Sequence, residues 1–218
     1  MYAVRQSRKT DFIELCAARD VLRFGEFTLK SGRVSPYFFN AGLFDHGGLL
    51  GKTAAHYAAL IAERFSGRAF MLYGPAYKGI ALAAATALKL ADDHGIDAGY
   101  AFHRKEAKDH GEGGTLVGAP LRGEVIIIDD VITAGTSVRR SVEAIRAAGA
   151  TPHAVVVALD RLERAGENGL SASQQVEKEH GIPVHALINL RDLAEHFERT
   201  NSEHAGAIRE YRARYGVE

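Results

Sequence analysis

The chain has one cysteine, Cys16, in 218 residues, which excludes an intrachain disulfide and a cysteine-rich zinc site. Cys16 falls among Phe12, Leu15 and Leu22 in a predicted helix over 11–22, where its role is packing. Net charge is absent too. The 27 Lys and Arg balance 27 Asp and Glu, so no global field draws the chain to nucleic acid or an anionic membrane. No apolar run approaches the roughly 20 residues that cross a bilayer, and Met1 to Asp11 lack the apolar centre of a signal peptide. The histidines are scattered without an HExxH pattern and no GxSxG occurs, which leaves a zinc or serine hydrolase without support. Gly47 to Thr53 nearly spells a P-loop, but His46 stands where the first glycine is required and no strand leads into it. No internal repeat, low-complexity tract or long linker interrupts the sequence. These absences predict a cytoplasmic, reduced chain forming one domain, 1–218, without a membrane or nucleic-acid partner.

What is present is alternation. Apolar strand candidates at 69–73, 98–102, 125–128, 154–159 and 184–188 are separated by helical patterns at 76–91, 135–148 and 171–180. This order predicts an α/β fold with a mainly parallel twisted sheet and helices on both faces. Leu50, Ala54, Tyr57, Ile61 and Phe65 mark a further amphipathic helix ahead of it. Two short strands, 24–29 and 34–39, flank a Ser31-Gly32-Arg33 turn and belong to an N-terminal addition, about 1–45. Ligands of open α/β sheets bind beyond the carboxyl ends of the strands, so chemistry is expected there.

The most informative stretch is Val125-Ile126-Ile127-Ile128-Asp129-Asp130-Val131-Ile132-Thr133-Ala134-Gly135-Thr136-Ser137. Four apolar, mostly β-branched residues read as a strand buried on both faces. Two carboxylates follow, then a small-residue loop that opens a helix, with Val138, Val142 and Ile145 at helical spacing and Gly149 as its stop. The unpaired N–H groups and hydroxyls of such a helix start suit a phosphate monoester. The Asp pair would repel a phosphate and faces something else, a ribose diol or a Mg²⁺ shell.

Together these elements resemble the phosphoribosyl pyrophosphate (PRPP) signature of the type I phosphoribosyltransferase family. The resemblance implies that Asp129 and Asp130 lie along the ribose hydroxyls. It implies too that Thr133, Ala134, Gly135, Thr136 and Ser137 hold the 5-phosphate, with Val131 and Ile132 also among the PRPP-binding residues. Gly74-Pro75-Ala76-Tyr77-Lys78-Gly79-Ile80, a tight loop opening a helix, then occupies the position of a pyrophosphate loop. The charged, glycine-rich run from Arg104 to Gly114 gains a role in this context. Arg104, Lys105, Lys108 and His110 would stabilise a leaving pyrophosphate, which gains charge as its bond breaks. A mobile loop there would also exclude water from a cation-like ribose.

Within that family the segment Phe27-Thr28-Leu29-Lys30-Ser31-Gly32-Arg33-Val34-Ser35-Pro36-Tyr37-Phe38-Phe39-Asn40 is similar to orotate phosphoribosyltransferases. So are the Arg104 to Gly113 run and Ala158-Leu159-Asp160-Arg161-Leu162-Glu163-Arg164. The resemblance implies a phosphoribosyltransferase core with a small N-terminal hood. The implied reaction joins orotate to PRPP, giving orotidine 5′-monophosphate and pyrophosphate in pyrimidine synthesis. Mg²⁺ is the implied cofactor, carried mainly by PRPP rather than by a direct protein site. Lys30, Tyr77 and Lys78 would join the loop cations around PRPP. Phe38, Phe39 and Thr133 would meet orotate, and Arg161 its carboxylate, for which a planar guanidinium is suited. Alternation along a strand sends Phe38 and Phe39 to opposite faces, so main-chain contacts are an equal expectation. A homodimer is implied, with the 104–114 loop shared between subunits. The tail from Leu170 carries no sharp motif. A relative acting on another base and a PRPP-sensing regulator are the alternatives; turnover of orotate against other bases, and nucleic-acid binding at low salt, separate them.

Overall fold

A computed structural model describes residues 2–29, 32–108, 114–132, 135–165 and 169–217, and the side chains among them except those of 2–4, 105–108 and 114. Helix α1 (Tyr2–Ala17) leads into a hairpin of β1 (Leu22–Thr28) and β2 (Val34–Phe39), followed by a 3-10 turn and α2 (Gly47–Arg64). Then come β3 (Phe70–Tyr73), α3 (Lys78–His94), β4 (Tyr100–Lys108), β5 (Gly114–Gly118) and β6 (Glu124–Ile132). The chain continues through α4 (Thr136–Ala147), β7 (Thr151–Asp160), α5 (Ala172–His180), β8 (Val184–Asn189), α6 (Leu190–Arg199) and α7 (Ala205–Tyr215).

The six-stranded sheet has the order β5-β4-β3-β6-β7-β8, parallel except for β5. Strands β6 and β7 explain the apolar runs. Ile126 and Ile128 of β6 and Ala154, Val156 and Ala158 of β7 face a core shared with α1, α2, α3 and the hairpin. Val125, Ile127, Val155 and Val157 face the other way, towards Val138, Val142 and Ile145 of α4 and Val176 of α5. Burying both faces of a strand requires a continuous apolar run. Full burial of each such side chain contributes about 1.5–3 kcal/mol relative to exposure.

Several boundaries differ from the sequence expectation. Helix α1 begins nearer the N-terminus and stops at Ala17. Asp20 takes a left-handed φ of 56°, and Leu22 already belongs to β1. The charged run after 104 is not loop throughout, because its backbone through Lys108 continues β4 and Gly114–Gly118 returns antiparallel beside it. Ladder hydrogen bonds are main-chain bonds, so a polar arm forms them as readily as an apolar one. The P-loop look-alike lies in the first turns of α2.

Helices α6 and α7 add structure that no sharp motif announced. Leu190, Leu193, Ala194 and Phe197 of α6 are buried at helical spacing, a period legible in the sequence. Asn189 caps α6 by accepting from the N–H groups of Arg191 and Asp192, and Asp192 accepts from the Asn189 N–H in return. Cys16 is buried, and burial pushes its thiol pKa far up, so it packs rather than reacts.

Candidate active site

Strand β6 follows β5 in the chain but pairs beside β3, so the strand order reverses between β3 and β6. Chain segments leaving these two strands diverge, which opens a crevice beyond their carboxyl ends. The acid pair belongs to that crevice. It lies in the second half of β6, not after the strand as the sequence suggests. Lys78, in the first turn of α3, reaches across and pairs with Asp130 at 2.8 Å. Asp129 is buried deeper. Its carboxylate accepts from the Ser137 hydroxyl at 2.8 Å, and the buried Tyr57 hydroxyl donates to its carbonyl, also at 2.8 Å.

Burial, and after it the neighbouring charge of Asp130, raises the Asp129 pKa to about 6. The Ser137 hydroxyl works in the opposite direction without cancelling the shift.

Two helix starts border the crevice. Gly135 precedes α4 with a left-handed φ of 68°, and no side chain caps the helix. The first helical bond runs from the Arg139 N–H, so the N–H groups of Thr136, Ser137 and Val138 have no intrahelical acceptor. Thr136 and Ser137 are exposed beside them. The second helix start, that of α3, is also uncapped and follows Gly74-Pro75-Ala76-Tyr77, with a cis bond between Ala76 and Tyr77. A Cβ on Gly79 would lie 2.7 Å from the Ile128 carbonyl oxygen, and one on Gly74 would lie 2.2 Å from the Gly79 oxygen. Only glycine lets this turn press against β6. Tyr77 itself is two-thirds exposed at the rim.

Arg104 continues β4 at the edge of the crevice and is partly exposed. Before it, His103 Nδ1 shares a 2.7 Å hydrogen bond with the hydroxyl of Tyr73, the last residue of β3. Burial raises the Tyr73 pKa to about 12 and lowers that of His103, so the hydroxyl donates to a neutral imidazole. Sequence inspection missed this tie between the two strand ends, because neither residue stands in a motif.

The hairpin supplies the remaining candidates. Phe38 is partly exposed and packs on Phe27 at 5.6 Å. Phe39 is 8 % exposed and joins the core beside Phe44, so its side chain does not flank a ligand ring; its main chain is what remains available. Ile132 and Gly135 are buried as well, and Ile132 packs in the core on the α4 side. Val131 is partly buried against the other core, so these positions too offer main chain.

Arg161, just past β7, is largely buried. Its Nη2 pairs with Glu163 at 2.7 Å and donates to the Ser35 hydroxyl at 3.1 Å, while its guanidinium stacks 4.4 Å from the Tyr37 ring centre. Burial opposes its charge, but the nearby Tyr37 and Glu163 oxygens more than compensate and hold its pKa above the usual value. Lys30, His110, Thr133 and Ala134 lie outside the described residues, as do the side chains of Lys105 and Lys108. A cavity of about 520 Å³ lies elsewhere, along the outer edge of β8, and none of the predicted site residues lines it.

A parallel sheet with an acid pair at its switch point, two uncapped helix starts and a basic arm has the makings of a phosphoribosyl-transferring enzyme. Residues 44–176 match the family model described as phosphoribosyl transferase domain. The chain is 58 % identical to an orotate phosphoribosyltransferase of Thioalkalivibrio sulfidiphilus, over 96 % of this chain and 98 % of that protein. It is 57 % identical to one of Methylococcus capsulatus, over 97 % and 99 %. The crystal structure of the Francisella tularensis orotate phosphoribosyltransferase superposes with a TM-score of 0.86 at 42 % identity, covering 95 % of this chain and all of that one. The chain belongs to the orotate phosphoribosyltransferase family.

Proposed function

We propose that this chain transfers the phosphoribosyl group of PRPP to orotate, giving orotidine 5′-monophosphate and pyrophosphate in pyrimidine synthesis. The observation that carries this is Asp129 and Asp130 beside the open N-terminus of α4, with Lys78 facing them from the start of α3. A 5-phosphate takes the α4 N–H groups and the Thr136 hydroxyl, and the Ser137 hydroxyl turns to it from Asp129. The ribose hydroxyls donate to the Asp pair. Lys78, Tyr77, Lys30 and the cations Arg104, Lys105, Lys108 and His110 surround the pyrophosphate. Orotate lies against Phe38, the Phe39 main chain and Thr133, with its carboxylate on Arg161.

The ring nitrogen of orotate bonds to C1 as the C1–O bond to pyrophosphate breaks through an oxocarbenium-like transition state; the electron pair of that bond leaves with pyrophosphate, and the ring N–H proton passes to pyrophosphate or water. The negative charge of Asp129 and Asp130 favours the electron-poor ribose, and the arm's cations favour the departing pyrophosphate. Among the described residues no group of three or more His, Cys, Asp or Glu converges as a metal cage. Asp130 is engaged by Lys78, and the acid pair offers oxygens of the kind Mg²⁺ prefers. These residues fit a Mg²⁺ that PRPP and water coordinate, with Asp129 and Asp130 at its margin. When bound, the ion neutralises pyrophosphate charge.

We further propose that residues 1–218 act as one domain with the first 45 or so forming the hood. The active form is a cytoplasmic homodimer whose subunits share the 104–114 arm. No helix among the described residues is long and apolar enough to cross a membrane.

Loss of orotate ultraviolet absorbance with purified protein, PRPP and Mg²⁺ tests the reading, with each component omitted in turn. Loss that needs both PRPP and Mg²⁺ supports it, and stable absorbance despite calorimetric PRPP binding sinks the orotate assignment. Lys108→Ala should lower kcat at least about tenfold, the loss of one charge-assisted hydrogen bond in the transition state. An unchanged kcat at saturating substrates would take Lys108 out of the mechanism.

A further inference from the structure

We propose that Glu163 is a positioning residue for the base carboxylate, acting through Arg161 together with Ser35 and Tyr37. The proposal rests on the orotate reading above and extends it to a residue that touches no substrate. A free arginine side chain has many rotamers, and a carboxylate ligand would have to select among them at an entropic cost. Here that selection is already made. Both Nη2 bonds are taken, one by Glu163 and one by Ser35, and the guanidinium plane rests on Tyr37. On this proposal a carboxylate takes remaining N–H groups of the guanidinium, whose plane Glu163, Ser35 and Tyr37 hold in place.

The holding groups are themselves held. Tyr37 donates its hydroxyl to Glu163 at 3.1 Å, and Ser35 donates to the Tyr37 carbonyl at 2.7 Å. Glu163 Oε2 lies 4.0 Å from Arg33, whose guanidinium sits 5.0 Å from the Tyr215 ring. The main chain is shaped to match. Leu162, between Arg161 and Glu163, takes a φ of 45°, which a branched non-glycine residue adopts only where its surroundings fix it. Those surroundings include a bridge between Glu163 and Gly216, with bonds from Arg164 N–H to the Tyr215 oxygen and from Val217 N–H to the Leu162 oxygen.

Charge gives the arrangement its selectivity. Arg33 and Arg161 both lie near Glu163, so the one carboxylate does not offset both guanidinium charges. Glu163 therefore orients Arg161 without cancelling the cluster.

The test measures orotate KM, kcat and calorimetric Mg-PRPP affinity for wild type, Glu163→Ala, Glu163→Gln and Ser35→Ala. Glu163→Ala should raise the orotate KM about tenfold, with kcat at saturating orotate and PRPP affinity within about twofold. Glu163→Gln should recover part of this, because its amide oxygen still accepts from Arg161 and Tyr37. Ser35→Ala should raise KM about threefold and keeps the test decisive if Glu163→Ala fails to fold. An orotate KM unchanged in Glu163→Gln and Ser35→Ala overturns the proposal, as does a parallel loss of PRPP affinity, which marks general damage to the fold. A wild-type protein that binds PRPP but leaves orotate unconsumed fails at the underlying function instead, and the proposal falls with it.

Discussion

Asp129 shows how one side chain can work against the fold and for the chemistry. Its carboxyl pKa stands near 6, where an unfolded Asp stands at 3.8. A raised carboxyl pKa means that the folded state favours the protonated form. The cost of ionisation is absent below pH 3.8, grows between 3.8 and about 6, and is fully present above. Asp129→Asn is therefore expected to raise thermal stability at pH 8, by roughly 1–3 kcal/mol, while lowering kcat/KM at least about tenfold. Calorimetric melting and the orotate assay measure the two effects. A variant that melts below wild type at pH 8 would show that the bonds the carboxylate accepts from the Ser137 hydroxyl and the Asp130 N–H outweigh the buried charge.

At the scale of elements, the site depends on how two strand ends are tied together. The Tyr73–His103 bond links the residue before the Gly74–Tyr77 turn to the residue before the basic arm. Tyr73→Phe keeps the ring and removes the hydroxyl. It should lower kcat about two- to tenfold, the range of one net hydrogen bond. Trypsin should also cut the arm at Lys105 and Lys108 faster. Wild-type kcat together with wild-type cleavage would show that the bond serves packing alone. The elements themselves were largely legible. Val125 to Ile128 announced β6 by apolar continuity, and Val138, Val142 and Ile145 announced α4 by spacing. Strand β5 escaped because Gly-Thr-Leu-Val-Gly is short and needs β4 as its partner. The acid pair and both helix starts could be read because they are contiguous. The Arg161 cluster could not, since Ser35, Glu163 and Tyr215 share no local pattern and meet only through the tertiary fold. The period of two that leaves Phe38 partly exposed turns the Phe39 side chain into the core, which favours the main-chain contact over stacking at Phe39.

For the whole molecule, one buried and two half-buried histidines set the acid limit. Burial lowers the pKa of His56, His185 and His196 below 6.5, and nearby arginines add to the effect. A lowered histidine pKa favours the neutral form in the fold. The associated stability is fully present above pH 6.5 and is lost as pH falls below it through the folded values. Melting temperature should therefore fall from pH 6.5 towards 5. Asp129 opposes part of that fall, because its protonation relieves strain over the same window. Asp129→Asn should accordingly lose melting temperature more steeply on acidification than wild type. Equal slopes by differential scanning calorimetry would remove Asp129 from the balance.

The clamp on Arg161 also has a consequence in time. Its bonds from Arg161 to Ser35 and from Tyr37 to Glu163 each span 126 residues, and the bridge to Gly216 adds a third distant stretch. Contacts that close such long loops form late, because the chain entropy of closure is met before any contact rewards it. The acid pair and the α4 start lie within one strand-turn-helix and can form early. In refolding, helical circular dichroism and PRPP binding should return ahead of orotate turnover, and simultaneous recovery of all three would contradict this order. A chain stalled at that stage would hold PRPP and never spend it. Slow maturation would then act as a sink for the donor, withdrawing it from every other reaction that needs it.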